Sequence, residues 1–344
     1  MLDQGSTMTV RTRQWQGIPS VTIDRNGKIF AVWYTGSGGE GPGNYITLAV
    51  SSDKGKTWKQ NALVVYPSNK TIRFFDPVFF KDKYDNIHLN IAKCRDNKLW
   101  DGRGGVWSFK IDYVNNKFTW TTPKRLADGI MMCAPAETND RQEVIYPIAV
   151  WQRGNPVNTG IHVYTAQNYD ALRGQLNFAK KSTIPFPPEL RIFDEHQIVQ
   201  LKDSSYLAMI RGTNGIYYTK SRDLVNWDTA RKFNIVGATA SSRFFIGRLK
   251  SGRLAFILNN NSNRTDLKIF LSENEGLTWP KSLLIDNRQG ISYPDLAQAE
   301  DGTISVVYDY DRFEQMNILH TSFTESDILN NKPGNIRRSV VSKR

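Results

Sequence analysis

The 344-residue chain has no apolar run approaching the roughly 20 residues that a membrane-spanning helix needs. Its opening, MLDQGSTMTV, has no apolar core of the secretory-signal type. Helical periodicity is almost absent, which argues against a helix-built fold. Only two cysteines occur, Cys94 and Cys133. That excludes a disulfide framework and leaves one pair or two lone core thiols. The four histidines stand far apart, at 88, 162, 196 and 320. No metal-ligand spacing exists, and neither metal nor cofactor is expected. The chain is basic, with a formal charge of +12. Yet its Lys and Arg are scattered, apart from Arg337, Arg338, Lys343 and Arg344 near the end. A basic surface with a solvated tail is expected, with no nucleic-acid or membrane partner.

What is present is a folding composition, 40% hydrophobic and 12% aromatic with nine Trp. Short apolar runs alternate with Gly, Asn, Asp and Pro. The first unit reads GIPSVTID, RNGK, IFAVWYT, a glycine-rich loop, YITLAVSS, DKGKT and WKQNALVVY. That is four strands in succession. Similar units follow at about 72–126, 130–183, 192–233 and 242–287, and a last one begins near Ile291. Four-stranded repeats of about 40–55 residues predict propeller blades. The expected fold is all-β: a six-bladed β-propeller of four-stranded antiparallel blades, one domain over 1–344 with its core at about 14–325. Inner strands are expected to start near Ile18, Phe75, Met132, Phe193, Phe244 and Tyr293. The last unit shows no obvious fourth strand, so one terminus is expected to close the ring.

One turn recurs. Ser51-Ser-Asp53-Lys-Gly55-Lys-Thr57-Trp58 is repeated as Ser272-Glu-Asn274-Glu-Gly276-Leu-Thr278-Trp279, and shortened as Ser221-Arg-Asp223-Leu-Val-Asn-Trp227. Asp or Asn caps the turn amides, Gly takes a positive φ, and Trp packs back into the blade. The pattern resembles the Asp-box of sialidases and related propellers. Asp53 and Asn274 are accordingly expected to be structural.

The resemblance extends over nearly the whole chain and implies a site. Ser292-Tyr293-Pro294-Asp295-Leu296, followed by Asp301-Gly302-Thr303, is similar to the segment that carries the sialidase nucleophile, with Pro in place of Ser after the Tyr. A neutral phenol avoids the repulsion an anionic nucleophile meets beside the sialic acid carboxylate. A phenol with pKa near 10 needs a base. Asp194-Glu195-His196-Gln197 resembles the strand that supplies it, which implies Glu195. Arg211 and Arg264 match two of the family's three carboxylate-binding arginines. The third is displaced: Gln16-Gly17-Ile18-Pro19 has Gly17 where the family has Arg. The acid/base loop after the second strand contains one carboxylate, Glu40. Asp76, Arg243 and His196 are further expected substrate contacts, although alternation sets His196 on the strand face opposite Glu195. Arg13, Arg73, Arg103 and the Trp100–Gly105 loop are other groups within reach of a cleft.

The resemblance thus implies a retaining exo-glycosidase acting on a glycan or oligosaccharide with an acidic terminus. Tyr293 would attack, Glu195 take its proton and Glu40 assist the leaving group. It also implies a periplasmic or secreted protein. Gly17 raises a second reading, a hydrolase or lyase for another acidic, uronate-containing glycan. A third is a non-catalytic glycan-binding propeller, against which the pairing of Glu195 with Tyr293 argues. A charged hydrogen bond contributes about 1.5–3 kcal/mol. With one arginine missing, activity on ordinary sialosides is expected to be weak, and the space beside Gly17 is expected to admit a different sugar.

Overall fold

The apolar runs of the sequence are strand-length and bounded by turn residues, and in the structure they pair as successive hairpins. The structure is a computed structural model describing residues 2–3, 13–36, 38–94, 102–140, 142–152, 158–170 and 175–343. Six antiparallel sheets follow one another along the chain, each built on four strands; the first gains a short fifth strand at its edge, and in the second Val106–Val114 pairs with both Lys117–Trp120 and Lys124–Ala127. The sheets form a six-bladed β-propeller. The innermost strands are Trp15–Ile23, Arg73–Lys81, Ala136–Glu137, His196–Gln200, Phe245–Arg248 and Ile291–Gln298. All begin within four residues of the starts expected from sequence. The third is the most irregular, a two-residue strand preceded by an isolated bridge between Ile130 and Ala149.

The ring closes through the C-terminal segment. After the helix Glu325–Leu329, strand Arg337–Ser342 returns as the outer strand of the sixth blade, against Asn317–Phe323. Thr324 and Asp327 form a reciprocal capping box on that helix. At the other end, Leu2–Asp3 adds to the outer edge of the first blade. Between blades the faces interlock through apolar side chains. Val32 and Leu48 of the first blade share a core with Phe79, Leu89 and Ile91 of the second. Cys94 and Cys133 are both buried.

The recurring turn behaves as its composition requires. The Asp53 Oδ1 accepts from the amides of Lys56 and Thr57 at 3.0 and 2.9 Å, and the Thr57 hydroxyl donates to Oδ2 at 2.6 Å. Hydrogen bonds from Thr57 hold the Asp53 carboxyl below the usual carboxylate range. Gly55 takes φ +82°, and a side chain there would run into the His320 ring. Asn274 repeats the capping through the Thr278 amide at 2.9 Å, and Asp223 through the Val225 and Asn226 amides at 2.8 Å.

Three inner strands share a device that sets up the site. The first, second and sixth each carry one extra residue relative to their partner, between Gly17 and Ser20, Phe75 and Val78, and Ser292 and Asp295. In each bulge a non-glycine residue with positive φ precedes a proline: Ile18-Pro19 at +59°, Asp76-Pro77 at +46° and Tyr293-Pro294 at +56°. Proline is tolerated where the ladder is interrupted, since no N–H is needed there. The left-handed backbone costs about 1–3 kcal/mol per residue and recurs where a side chain must be re-aimed.

Candidate active site

The bulges bring Tyr293 and Asp76 together with Glu195 near the starts of the inner strands. Glu195 follows Asp194, itself at φ +50°, just before strand His196–Gln200. The Tyr293 hydroxyl donates to Glu195 Oε1 at 3.2 Å. Arg211, near the end of strand Tyr206–Gly212, donates through Nη1 to the same oxygen at 2.8 Å and to the Tyr293 hydroxyl at 3.1 Å. The Glu195 and Arg211 side chains are 0% and 4% exposed. A buried pair of this kind stands only when well hydrogen-bonded. Arg211 Nε meets this by donating to Ser241 Oγ at 3.2 Å. Burial pushes the Tyr293 phenol above its ordinary value and the Glu195 charge adds to that, against Arg211, Arg264 and Arg312. The phenol is protonated at neutral pH, and Glu195 Oε1 is the acceptor its hydroxyl faces.

Cations surround the Tyr293 ring. Arg264 sits 5.1 Å from its centroid and is 3.5 Å from Ser292 Oγ through Nη1. Arg312 sits 4.9 Å from the same centroid. It lies just beyond strand Ile304–Tyr310 and pairs with Glu40 Oε1 at 3.1 Å and Asp309 at 3.8 Å. Glu40, on the glycine-rich loop, also lies 3.4 Å from Arg73. Arg73 in turn donates to the Tyr34 hydroxyl at 2.8 Å. Asp309 is fully buried, accepting from the Ile18 amide at 2.9 Å and the Ser292 hydroxyl at 2.7 Å. It pins the bulges of the first and sixth blades to each other.

Asp76 is 2% exposed, and neither of its carboxylate oxygens has a hydrogen-bond partner among the described residues. Burial raises its carboxyl to about 8; Arg73 and Arg243 oppose this, while Glu40 and Glu195 reinforce it. Glu195 Oε2 is likewise buried and without a partner there. Such groups cost free energy unless something arrives to bond them.

Of the residues expected from sequence, Tyr293, Glu195, Arg211, Arg264, Glu40 and Asp76 gather here. Two do not act as expected. Arg243 is 2% exposed, and its Nη atoms donate to the carbonyls of Met132, Pro19 and Tyr293 at 2.9, 2.6 and 2.9 Å. It ties inner segments together rather than facing a ligand. His196 is buried between the carbonyls of Asp194 and His162, each 3.0 Å from a ring nitrogen. Burial lowers its pKa to about 4, opposed by the hydrogen bonds to the two carbonyls. Arg13 turns away to Ser342 and Asn61. Trp100 and Asp101 lie outside the described residues. The gap expected beside Gly17 is filled, because a Cβ there would overlap the Arg312 side chain. Arg312 and Asp309 escaped the sequence reading. A usable signal existed: Arg312, like Arg211, stands at a strand end on the side of the inner-strand starts.

A cavity of about 580 Å³ lies elsewhere. It is lined by later parts of the inner strands, including Phe79, Gln197, Phe245 and Gln298, towards the opposite mouth of the channel.

Comparison with solved structures gives the same architecture at low identity. A protein of unknown function from Dyadobacter fermentans superposes with a TM-score of 0.68 at 15% identity, covering 88% of this chain and 92% of its own. The Hadza microbial sialidase Hz136 gives 0.70 at 14%, over 92% and 67%. The NanB sialidase of Streptococcus pneumoniae gives 0.65 at 14%, over 95% and 71%. A search of curated protein sequences gives no significant match. The family model for the BNR repeat-like domain, however, matches residues 27–306, and the chain belongs to that family.

Proposed function

We propose that this protein is a retaining exo-glycosidase that releases a terminal sialic acid, or a closely related acidic sugar, from glycans. The observation that carries the reading is the buried contact of the Tyr293 hydroxyl with Glu195, bridged by Arg211. A binding surface has no need of a phenol aimed at a carboxylate that costs free energy to bury.

In the first half-reaction the Tyr293 oxygen bonds to the anomeric carbon and Glu195 takes the phenolic proton. The glycosidic C–O bond breaks, and Glu40 gives a proton to the departing oxygen. In the second, water bonds to the anomeric carbon and yields its proton to Glu40. The Tyr293–carbon bond breaks, and the phenol regains its proton from Glu195. Two displacements at one carbon give retention. Arg211 and Arg264 hold the anionic group beside that carbon. Asp76, protonated at neutral pH, is placed to exchange hydrogen bonds with sugar hydroxyls. The reading in favour of a differently shaped uronate rested on open space beside Gly17, and Arg312 fills that space.

The test is turnover of a fluorogenic sialoside, with a fluorinated sialosyl fluoride as trap. A stable mass addition on the Tyr293 peptide is expected, together with retained configuration by NMR. Absence of both turnover and adduct would overturn the proposal.

A further inference from the structure

We infer that Arg312 is a specificity-determining anion-binding residue of this site, and that Gly17 lacks a side chain in order to admit it. The inference rests on the proposed reading that an acidic sugar binds over Tyr293. Three observations carry it. A Cβ on Gly17 would overlap both Cγ and Cδ of Arg312, so the two positions are mutually exclusive as sources of bulk. The Arg312 guanidinium sits 4.9 Å from the Tyr293 ring centroid, as close as Arg264 at 5.1 Å. The side chain is 13% exposed and is held from behind, by Asp309 at 3.8 Å and Glu40 at 3.1 Å.

The geometry also explains why one blade substitutes for another. Asp309 fixes the Ile18 amide of the first blade and the Ser292 hydroxyl of the sixth. An arginine three residues beyond Asp309 therefore starts from the seam between those blades. Its stem crosses the bare Gly17 backbone and delivers the charge to the nucleophile. Held in place by the Asp309 and Glu40 side chains, the fork is preorganised for a carboxylate partner. The ligand class is thus a sugar carrying a carboxylate next to its reacting carbon. The third cation comes from a different strand and a different direction than Gly17 would give.

The experiment measures binding of 2,3-didehydro-2-deoxy-N-acetylneuraminic acid, its methyl ester, glucuronate and galacturonate by calorimetry. The proteins are the wild type, Arg312→Gln, Gly17→Ala, and the double variant Gly17→Arg/Arg312→Ala. Arg312→Gln is expected to weaken the carboxylate ligand about 10- to 100-fold and to leave the ester almost unchanged. Gly17→Ala should weaken the acid in the same selective way by pushing Arg312 aside. The double variant should regain affinity for the acid relative to Arg312→Gln. The ester comparison on the wild type alone keeps the test open if a variant folds poorly, since equal affinity for acid and ester overturns the inference. If the wild type binds the didehydro acid and Arg312→Gln binds it equally well, the inference fails and the sialoside reading survives. If only a uronate binds, and does so through Arg312, the anion-binding role of Arg312 stands, while the ligand class inferred here and the sialoside reading both fall. A wild type that binds none of the acids overturns both.

Discussion

Tyr293 and Glu195, 98 positions apart in sequence and on different blades, meet at 3.2 Å through hydroxyl and carboxylate. Arg211 Nη1 touches both partners, at 3.1 and 2.8 Å. A phenol whose pKa is raised by burial and by Glu195 cannot attack without losing its proton in the same step. Glu195→Gln should therefore lower kcat/KM by about 10²–10⁴-fold while substrate binding persists. Tyr293→Phe should abolish adduct formation with a fluorinated sialosyl fluoride. Intact-mass spectrometry and steady-state kinetics check both. An adduct forming on Tyr293→Phe at wild-type rate would assign the nucleophile elsewhere.

Glu40 rests between Arg312 and Arg73 on a glycine-rich loop. If it protonates the departing oxygen, its loss is felt in proportion to how poor the leaving group is. Glu40→Gln should cost little on an aryl sialoside and about 10²-fold or more on an alkyl sialoside. Equal losses on both would mean that Glu40 only positions Arg312. A leaving-group-dependent loss in Asp76→Asn instead would move the acid role to Asp76.

Asp53 organises the turn between strands Tyr45–Ser51 and Lys59–Val65, accepting from Lys56, Thr57 and Ser51. Asp53→Ala should lower Tm, because the turn amides lose their acceptor. It should leave kcat and KM unchanged. The same hydrogen bonds lower the Asp53 carboxyl below its unfolded value. The stabilisation is present at pH above the unfolded carboxylate range, near 3.9, and is lost as pH falls through the folded value. The Tm gap between wild type and variant should therefore narrow in strong acid, as scanning calorimetry would show.

The blades were legible because repetition is a one-dimensional signal. Hairpin turns such as Asp53–Trp58 and Asn274–Trp279 recur at blade spacing, and alternating apolar runs lie between them. Tyr293, Glu195, Arg211 and Arg264 were legible through local motifs. Arg312 was overlooked despite its strand-end position, because its role depends on the space above Gly17, 295 positions away. Arg243 and His196 were misjudged for a related reason. Both lie near site residues in sequence or space, but their side-chain nitrogens face backbone carbonyls of the inner segments and neighbouring strands. Sequence gives a side chain's chemistry, whereas its orientation at a bulge is set by pairing across the sheet.

That reassignment of Arg243 has a measurable consequence. Its Nη donors satisfy carbonyls of Met132, Pro19 and Tyr293, from three different blades. Arg243→Met leaves those buried acceptors unpaired, at about 1–3 kcal/mol each. Thermal unfolding should shift down by several degrees, more than for Arg264→Met, whose side chain is only partly buried. A variant with unchanged Tm and a selective loss of acid-ligand affinity would restore Arg243 to the binding site.

Asp76 gives the sharpest dependence on pH. Its carboxyl is buried, lacks a hydrogen-bond partner among the described residues, and has its pKa raised to about 8, first by burial. In the unfolded chain the same group titrates near 3.9. Between these values the folded state holds a proton that the unfolded state has lost. Stability therefore falls as pH rises through that window, with a slope of at most about 1.4 kcal/mol per pH unit from this group. The contribution is fully favourable below the unfolded pKa and levels off once the folded group ionises above about 8. Asp76→Asn keeps the shape of the neutral acid and removes the titration. The two proteins should have similar stability near pH 4, and the variant should be the more stable at pH 8–9. Denaturant unfolding at a series of pH values reads the difference directly. The left-handed backbone at +46° does not confound the comparison, since Asn adopts that conformation as readily as Asp. Catalysis should move the other way, because Asn pairs differently with sugar hydroxyls. KM for the sialoside should rise several-fold while the stability curve flattens. A stability difference that is constant across pH would show that Asp76 is ionised in the folded protein throughout, with Arg73 and Arg243 as its counter-charges.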